Sequence, residues 1–478
     1  MGVYGSAARA DRRGIGGAGW TGTPTPVRRV WAVGGGRRSR RDDKGKLVKR
    51  LRNRGRAALV AAAAMCAVAA QPGLPGTARA AEGPSPYVFD PGAERVEGAA
   101  STSAARPLEA GSTYRGSIEP GKKLFYRLDL DDAKNAYVSV TAVPELGSSV
   151  DYGDKLTVTM QDSDGRDCDS EQARVLSSSD YPHPLTAYAT RTLDGKEYGS
   201  CRKAGPYYVI VERESKPTST QDAWDLELRF LSEPGLATAG PTEAPEGWPS
   251  ASPEPPSGAA GKREGGAGFT TAASVGEGEW TTRIDPGESL YYRVPVDWGQ
   301  QLFTSAELGS SQGDGFVTGA LSLAVYNPAR GLVDGAESLS YRGEQKSLST
   351  DPAPPVDYAN RFSSAGQEKA MRFAGWYYVR VSLNPEVGEK FGQGPHDVTL
   401  RVTVDGTAKD GPGYDGPAGE FSVPDDGLEG PDGGNTGSAA DDTGAMKLVA
   451  AGGIGTGTVL VLGLGGWMLL ARRREAGR

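Results

Sequence analysis

Between Pro107 and Thr407 the chain alternates apolar and polar side chains with a period of two. Leu124-Phe-Tyr-Arg-Leu-Asp-Leu130, Leu156-Thr-Val-Thr-Met160 and Leu226-Glu-Leu-Arg-Phe230 place an apolar residue at every second position. Tyr137-Val-Ser-Val-Thr141 and Tyr207 to Val211 are rich in β-branched and aromatic residues, which suit a pleated, half-buried surface. Later runs repeat the pattern at Leu290 to Val296, Leu321 to Tyr326, Tyr377 to Val381 and Val398 to Val404. Pro-Gly, Asp-Gly and Asn-Pro pairs bound these runs and mark turns. No stretch inside this region carries a helical period. The pattern predicts short antiparallel strands throughout, about seven to nine for each sandwich of the usual size.

The strands come in two sets. Gly111 to Leu130 reads GSTYRGSIEPGKKLFYRLDL, and Gly278 to Asp297 reads GEWTTRIDPGESLYYRVPVD. Glu145-Leu-Gly-Ser-Ser149 returns as Glu307-Leu-Gly-Ser-Ser311. Gly205-Pro-Tyr-Tyr-Val209 returns as Gly375-Trp-Tyr-Tyr-Val379, and Asp225-Leu-Glu-Leu-Arg229 as Asp397-Val-Thr-Leu-Arg401. The offsets run from 162 to 172 residues, too long for a solenoid period and right for a duplicated domain. The expected fold is all-β: two tandem antiparallel, jelly-roll-like β-sandwiches at residues 107–233 and 269–407. Residues 81–106 read as a disordered lead, and 234–268 as a Pro/Gly/Ala-rich linker unable to bury a core of its own. Residues 408–447 read as an acidic, extended, disordered stalk.

The Pro-Gly turn that feeds the first long strand, with G-x-Y-Y-V near the last hairpin, resembles the bacterial pre-peptidase C-terminal (PPC) domain. The resemblance covers both repeats. It implies a small jelly-roll-like sandwich appended to secreted proteases and surface proteins, a fold that binds or assists and is not itself catalytic. Both copies run longer than that family's usual length, through Ser163 to Gly199 and Gly331 to Arg372. The layout is also similar to the membrane-proximal half of actinobacterial surface proteins that carry a von Willebrand A domain ahead of such repeats. That domain's DxSxS motif is absent here, so the resemblance is to the stalk and not to the adhesive head.

The ends of the chain suggest where it works. Lys44 to Arg56 is basic, Ala57 to Ala70 is apolar, and Ala78-Arg79-Ala80 offers small residues for cleavage. Residues 44–80 therefore read as a signal peptide cut between Ala80 and Ala81. Residues 1–43 fit no part of a signal and read as a mis-assigned start or a disordered extension. Leu448 to Ala471 holds 24 residues without a charge, and Arg472-Arg473-Arg474 follows. This predicts one transmembrane helix at 448–471 with a short cytoplasmic tail, 472–478, and the N-terminus outside. Gly453 and Gly457 give that helix a small-residue face on which neighbouring helices could pack.

Charge narrows the partners. The first 81 residues hold 17 Lys/Arg and 3 Asp/Glu, which leaves 36 basic and 57 acidic groups in the exported part. So acidic a surface excludes an electrostatic footprint for nucleic acid. An envelope or membrane protein is the expected partner, with a cell-wall glycan as the alternative.

Few residues stand out chemically. Cys168 and Cys201 are the cysteines left after signal cleavage, and an oxidising compartment makes a disulfide between them the default. Asp162, Asp164, Asp167 and Asp169 crowd one short segment, either as oxygen ligands for Ca²⁺ or as a solvated Asp-Gly hairpin turn. No other cofactor is suggested. Trp280 and Trp298 are candidate exposed contacts for a ligand. His183 and His396 lie in different repeats at unmatched positions, and no GxSxG, HExxH or SxxK motif occurs. The reading is a non-catalytic, membrane-anchored interaction or accessory protein of the cell surface. A carbohydrate binder is the alternative, and an enzyme is a weak third.

Overall fold

The computed structural model describes residues 83–193, 200–254, 256–336 and 339–423. The expected signal peptide with its Ala80–Ala81 junction, most of the expected stalk, the expected membrane helix with Gly453 and Gly457, and the expected cytoplasmic tail lie outside the described residues. No helix among the described residues is long and apolar enough to cross a membrane.

The first copy runs β1 (Glu94–Arg95), β2 (Arg106–Pro107), β3 (Thr113–Ile118), β4 (Lys123–Leu130), β5 (Asn135–Val143), β6 (Lys155–Asp162), β7 (Asp167–Arg174), β8 (Leu185–Arg191), β9 (Gly205–Glu214) and β10 (Trp224–Glu233). The second repeats it as β11 (Gly261–Lys262), β12 (Ala273–Ser274), β13 (Gly278–Ile284), β14 (Ser289–Val296), β15 (Gln301–Leu308), β16 (Leu321–Tyr326), β17 (Leu332–Ala336), β18 (Lys346–Ser349), β19 (Gly375–Leu383) and β20 (His396–Asp405). Sheet orders are β1-β3-β10-β5-β8 against β2-β4-β9-β6-β7, and β11-β13-β20-β15-β18 against β12-β14-β19-β16-β17. Each strand of one copy thus has a counterpart ten strands later. Without the two-residue parallel edge strands, each copy is an eight-stranded jelly roll of two facing sheets. The count exceeds the expected seven to nine because these edge strands are too short to show a period.

Alternation explains the packing. On β4, Tyr126 and Leu128 are fully buried while Lys123, Arg127 and Asp129 face solvent. The repeated Pro-Gly turns work as expected, with Gly121 at φ 70° and Gly287 at φ 86°. Only glycine takes that left-handed backbone without steric cost. Two short helices do occur, at Gly366–Ala370 and Pro385–Phe391, where no helical period was read. The second opens on Pro385 beneath an Asn384 cap that accepts from the Glu386 amide.

The segments read as disordered are built into the fold. In the lead, β1 pairs with β3 and β2 with β4. In the linker, β11 adds to β13, and the Gln301 side chain donates to the Pro249 carbonyl at 2.8 Å. The start of the stalk bridges back, with Tyr414 opposite Leu236 and Phe421 buried beside Tyr137 and Phe373. Composition misleads here because these segments need no core of their own. They add to existing sheet edges and fill a groove between the copies. The long stretches Ser163 to Gly199 and Gly331 to Arg372 are likewise not appended loops, since they contain β7, β8, β17 and β18.

Candidate functional site

The two jelly rolls meet face to face. On β10 the outward residues Glu227, Leu231 and Glu233 are buried, as are Tyr137, Ser139 and Thr141 on β5. Opposite them, Tyr291 on β14, Ala324 and Tyr326 on β16 and Arg380 on β19 are buried on their own sheet's outer face. Four sheets therefore stack, and the middle layer is polar and aromatic.

Arginines of the second copy reach across it. Arg330 pairs with Glu227 at 2.6 Å, with both side chains almost wholly buried. Arg361 pairs with Glu233 at 2.8 Å, and both are wholly buried. Arg372 donates to the Tyr188 hydroxyl oxygen at 3.3 Å, and Arg380 donates to the Pro184 carbonyl. Arg330 is the residue other than glycine with a positive φ, 62°, among the described residues. Its turn is held by Asn327, whose Oδ1 accepts from the amides of Ala329 and Gly331. Such backbone costs about 1–3 kcal/mol. Here it delivers a guanidinium to the other copy.

One corner of this junction opens into a cleft of about 1000 Å³. Its walls come from the lead, from loops of the first copy, and from Ala267, Gly287 and Ser289. The lead is tied down on the way in. The Tyr87 hydroxyl donates to Glu227 at 3.1 Å, the Asp90 amide to the same carboxylate at 2.9 Å, and the Val88 amide to the Ala267 carbonyl at 3.0 Å. Arg115 lies 4.2 Å over the Phe89 ring and pairs with the half-exposed Asp225 at 2.8 Å. Arg95 sits beside Arg115 in register on the edge strand. Leu146 is exposed at the rim, and several prolines, among them Pro144, Pro182 and Pro184, line the walls. His183 faces this cleft from a buried position. Burial and the neighbouring Arg380 lower its pKa from 6.5 to about 3, so the ring is neutral. Its Nδ1 lies 2.7 Å from the Tyr181 carbonyl, which can only accept, so Nδ1 carries the proton. The cleft is stiff-walled, part apolar and part charged.

The sequence-derived candidates fall elsewhere. Cys168 and Cys201 do form a disulfide, with Cα atoms 5.6 Å apart, joining β7 to the turn before β9. Trp298 is a core residue with 8 % exposure, and so is corrected from an exposed contact. Trp280 is half-buried against the same core, its indole N–H given to the Gly276 carbonyl at 3.0 Å. The four aspartates do not converge. Asp162 accepts from the amides of Asp164 and Arg166, closing the hairpin turn. Asp167 takes Gln161, and Asp169 takes the amide and hydroxyl of Thr190 on the edge of β8. Glu171 similarly takes the Tyr188 amide at 3.1 Å, so β7 closes the open edge of β8 with side chains. Among the described residues no group of three or more His, Cys, Asp or Glu side chains is placed to hold a metal ion. Asp162 and Asp169 are committed to backbone amides and Asp167 to a side-chain amide, while Asp164 lies exposed beside Arg166.

No protein-family model and no curated protein matches the chain. Among solved structures it is similar to the CUB1-EGF-CUB2 domain of human MASP-1/3, at 7% identity and TM-score 0.15, over 60% of this chain and 99% of that one. It is also similar to the tandem CBM22-1-CBM22-2 domain of Paenibacillus barcinonensis Xyn10C, at 11% identity and TM-score 0.17, over 62% and 92%. Likenesses this faint carry nothing about function. The residues of the cleft must speak for themselves. Sequence reasoning missed them because they come from seven separated segments. The one signal available is the proline and aromatic content of residues 84–91, within the segment that reads as a disordered lead.

Proposed function

We propose that this chain is an accessory protein of the cell surface that holds a segment of an envelope protein in the cleft between its two jelly rolls. The observation that carries the reading is the cleft itself. It has the size of a specific binding site, and both copies and the lead are needed to build it. Its chemistry favours a peptide over a sugar. Phe89 has one face already covered by Arg115, whereas prolines and Leu146 offer apolar contact beside the charged Arg95, Arg115 and Asp225. Membrane anchoring through residues 448–471 would hold that body at the surface, with the acidic stalk as spacer.

A photo-crosslinking residue placed at Leu146 in the full-length chain, displayed on intact cells, tests the reading. It should capture one discrete envelope protein. Phe89→Ala combined with Arg115→Glu should abolish the capture, and a crosslinker at Tyr152, which does not line the cleft, should give none. Equal capture from both positions, or capture indifferent to the two substitutions, refutes it.

A second reading rests on a separate observation. Tyr152 and Phe316 stand 58% and 47% exposed in the loops that join β5 to β6 and β15 to β16, the same loop in each copy. Two matched rings could stack on a wall glycan. Saturable binding to purified peptidoglycan, lost in Tyr152→Ala with Phe316→Ala and kept in the cleft variants, would favour this reading.

A further inference from the structure

The second copy carries a serine–histidine pair that lies outside the cleft. Ser311 Oγ lies 2.9 Å from His396 Nδ1, and His396 Nε2 lies 3.0 Å from the Gly392 carbonyl oxygen. A carbonyl can only accept, so Nε2 holds the ring proton and Nδ1 is bare. Nδ1 must then accept from the Ser311 hydroxyl. That is a nucleophile hydrogen-bonded to a base whose ring is oriented by a third group.

Each part is held in place. His396 opens strand β20, in register with Ile284. The Ser311 amide donates to the Gly343 carbonyl at 2.9 Å. Gly392 closes the short helix Pro385–Phe391 at φ 109°, where a side chain would be strained. The neighbouring Asp397 turns to Arg283 at 3.5 Å, so the backbone carbonyl does the orienting. Ser311 and His396 line a shallow pocket of about 230 Å³ with Gln312, Phe391 and Gly394. The amide of Gln312, next after the serine, makes no hydrogen bond among the described residues. It is a donor left over beside the nucleophile.

The duplication shows that this pair is optional. Ser311 corresponds to Ser149, and His396, first residue of β20, to Trp224, first residue of β10. Trp224 is simply core, buried 3.9 Å beneath the Arg213 guanidinium. A jelly roll of this kind is therefore completed without a histidine at that place.

We propose that Ser311 and His396 form a serine-hydrolase-like site for small acyl esters. Ser311 Oγ attacks the ester carbonyl as its proton passes to His396 Nδ1. The tetrahedral adduct collapses, the C–O bond to the alcohol breaks, and the alcohol leaves with that proton. Water, deprotonated by the same nitrogen, then cleaves the acyl-serine to carboxylic acid and free serine. The sum is ester plus water to acid plus alcohol. A pocket this shallow admits a short acyl group and leaves the alcohol portion outside.

The test is independent of the cleft. Full-length protein is treated with a fluorophosphonate probe, whose phosphorus would bond to Oγ as fluoride leaves, and the labelled peptide is mapped by mass spectrometry. Hydrolysis of p-nitrophenyl acetate is followed in parallel. The label should map to Ser311. Ser311→Ala should lose both signals, His396→Gln should slow both by about 100-fold or more, and Ser149→Ala should change neither. Imidazole should restore part of the rate to His396→Gly, an effect a purely structural histidine would not produce. A label that is absent, or that maps anywhere else on the wild-type chain, overturns the proposal whether or not the variants fold.

Discussion

Glu233 is the residue on which the union of the two copies most depends. Its carboxylate, fully buried, accepts from Asn135 Nδ2 at 2.7 Å, the Tyr137 hydroxyl at 2.6 Å, Arg361 at 2.8 Å and the Tyr414 hydroxyl at 2.8 Å. These partners come from the first copy, the second copy and the start of the stalk. Removing one partner of a buried pair typically costs about 3–5 kcal/mol, because the other charge is left uncompensated. Arg361→Gln leaves a carboxylate still bonded to Asn135, Tyr137 and Tyr414, so the loss should fall near about 3 kcal/mol. Glu233→Gln leaves a buried guanidinium and disturbs all four partners, so about 4–5 kcal/mol is expected. Changing both to Met should recover most of this, since an apolar pair carries no desolvation penalty. Urea unfolding of the four proteins, followed by tryptophan fluorescence, gives the comparison. Proteolysis within residues 234–268 should quicken in both single variants. Burial alone would raise the Glu233 pKa, but Arg361 and the hydrogen bonds outweigh it and the net shift is downward. A depressed carboxyl adds stability above its unfolded value, about 4.3, and that stability is lost as pH falls further. The wild type should therefore weaken below this point more steeply than the Met/Met variant. Single variants that each cost under about 1 kcal/mol, or a double variant as unstable as the sum of the singles, would refute the assigned role.

Other consequences can be checked singly. Burial raises the Glu171 pKa from 4.5 to about 7, so the folded chain binds more protons than the unfolded one between those values and stability falls as pH rises through them. Glu171→Gln, whose amide oxygen can still accept from Tyr188, should be near neutral at pH 5 and stabilising by about 2 kcal/mol at pH 8, after allowance for its partial exposure. Thiol titration of the native mature protein should find no free cysteine, and Cys168→Ser with Cys201→Ser should cost about 3 kcal/mol in the chain-entropy account. Trp298→Ala should destabilise by about 3–5 kcal/mol, as for a core aromatic, without a selective loss of any binding. A ligand-binding defect at unchanged stability would contradict that last expectation.

Much of the fold was open to a reader of the sequence, for a physical reason. Period-two alternation is enforced locally on every strand with one buried face, as on β4 and β6, where the solvent side carries Lys123, Arg127 and Lys155. The duplication was visible because turn glycines and core residues recur in order. The disulfide followed from compartment and scarcity. The ligand candidates failed for the opposite reason, since nothing local distinguishes a tryptophan in the core from one at the surface. The Asp162 to Asp169 run looked like a cation site because sequence shows how many carboxylates there are and not which backbone amides they face. Ser311 and His396 lie 85 residues apart and meet only when β20 crosses beside the loop after β15.

The union of the two copies did leave a trace, in what the alternating positions lack. The outward positions of β5 within Tyr137 to Thr141 are Tyr, Ser and Thr, and those of β16 are Ser, Ala and Tyr, without a charge among them. A solvated strand face in a chain this acidic would be expected to carry some. Of the outward charges on these sheets, Glu227, Glu233 and Arg380 are matched across the junction by residues of the other copy, while Asp225 pairs with Arg115 of its own copy and Arg229 with Glu420 at the start of the stalk. Neutral outward stretches on β5 and β16, with buried charges that find a partner across the gap, are what two sandwiches need if they are to stack. The linker composition pointed the other way because Pro/Gly-rich chain is usually solvated. Here it has little freedom to lose, being tied at Leu236, Pro249 and Gly261 to surfaces already folded. The duplication therefore made more than a second module: it made a shared junction, and the cleft exists only where both copies and the lead come together.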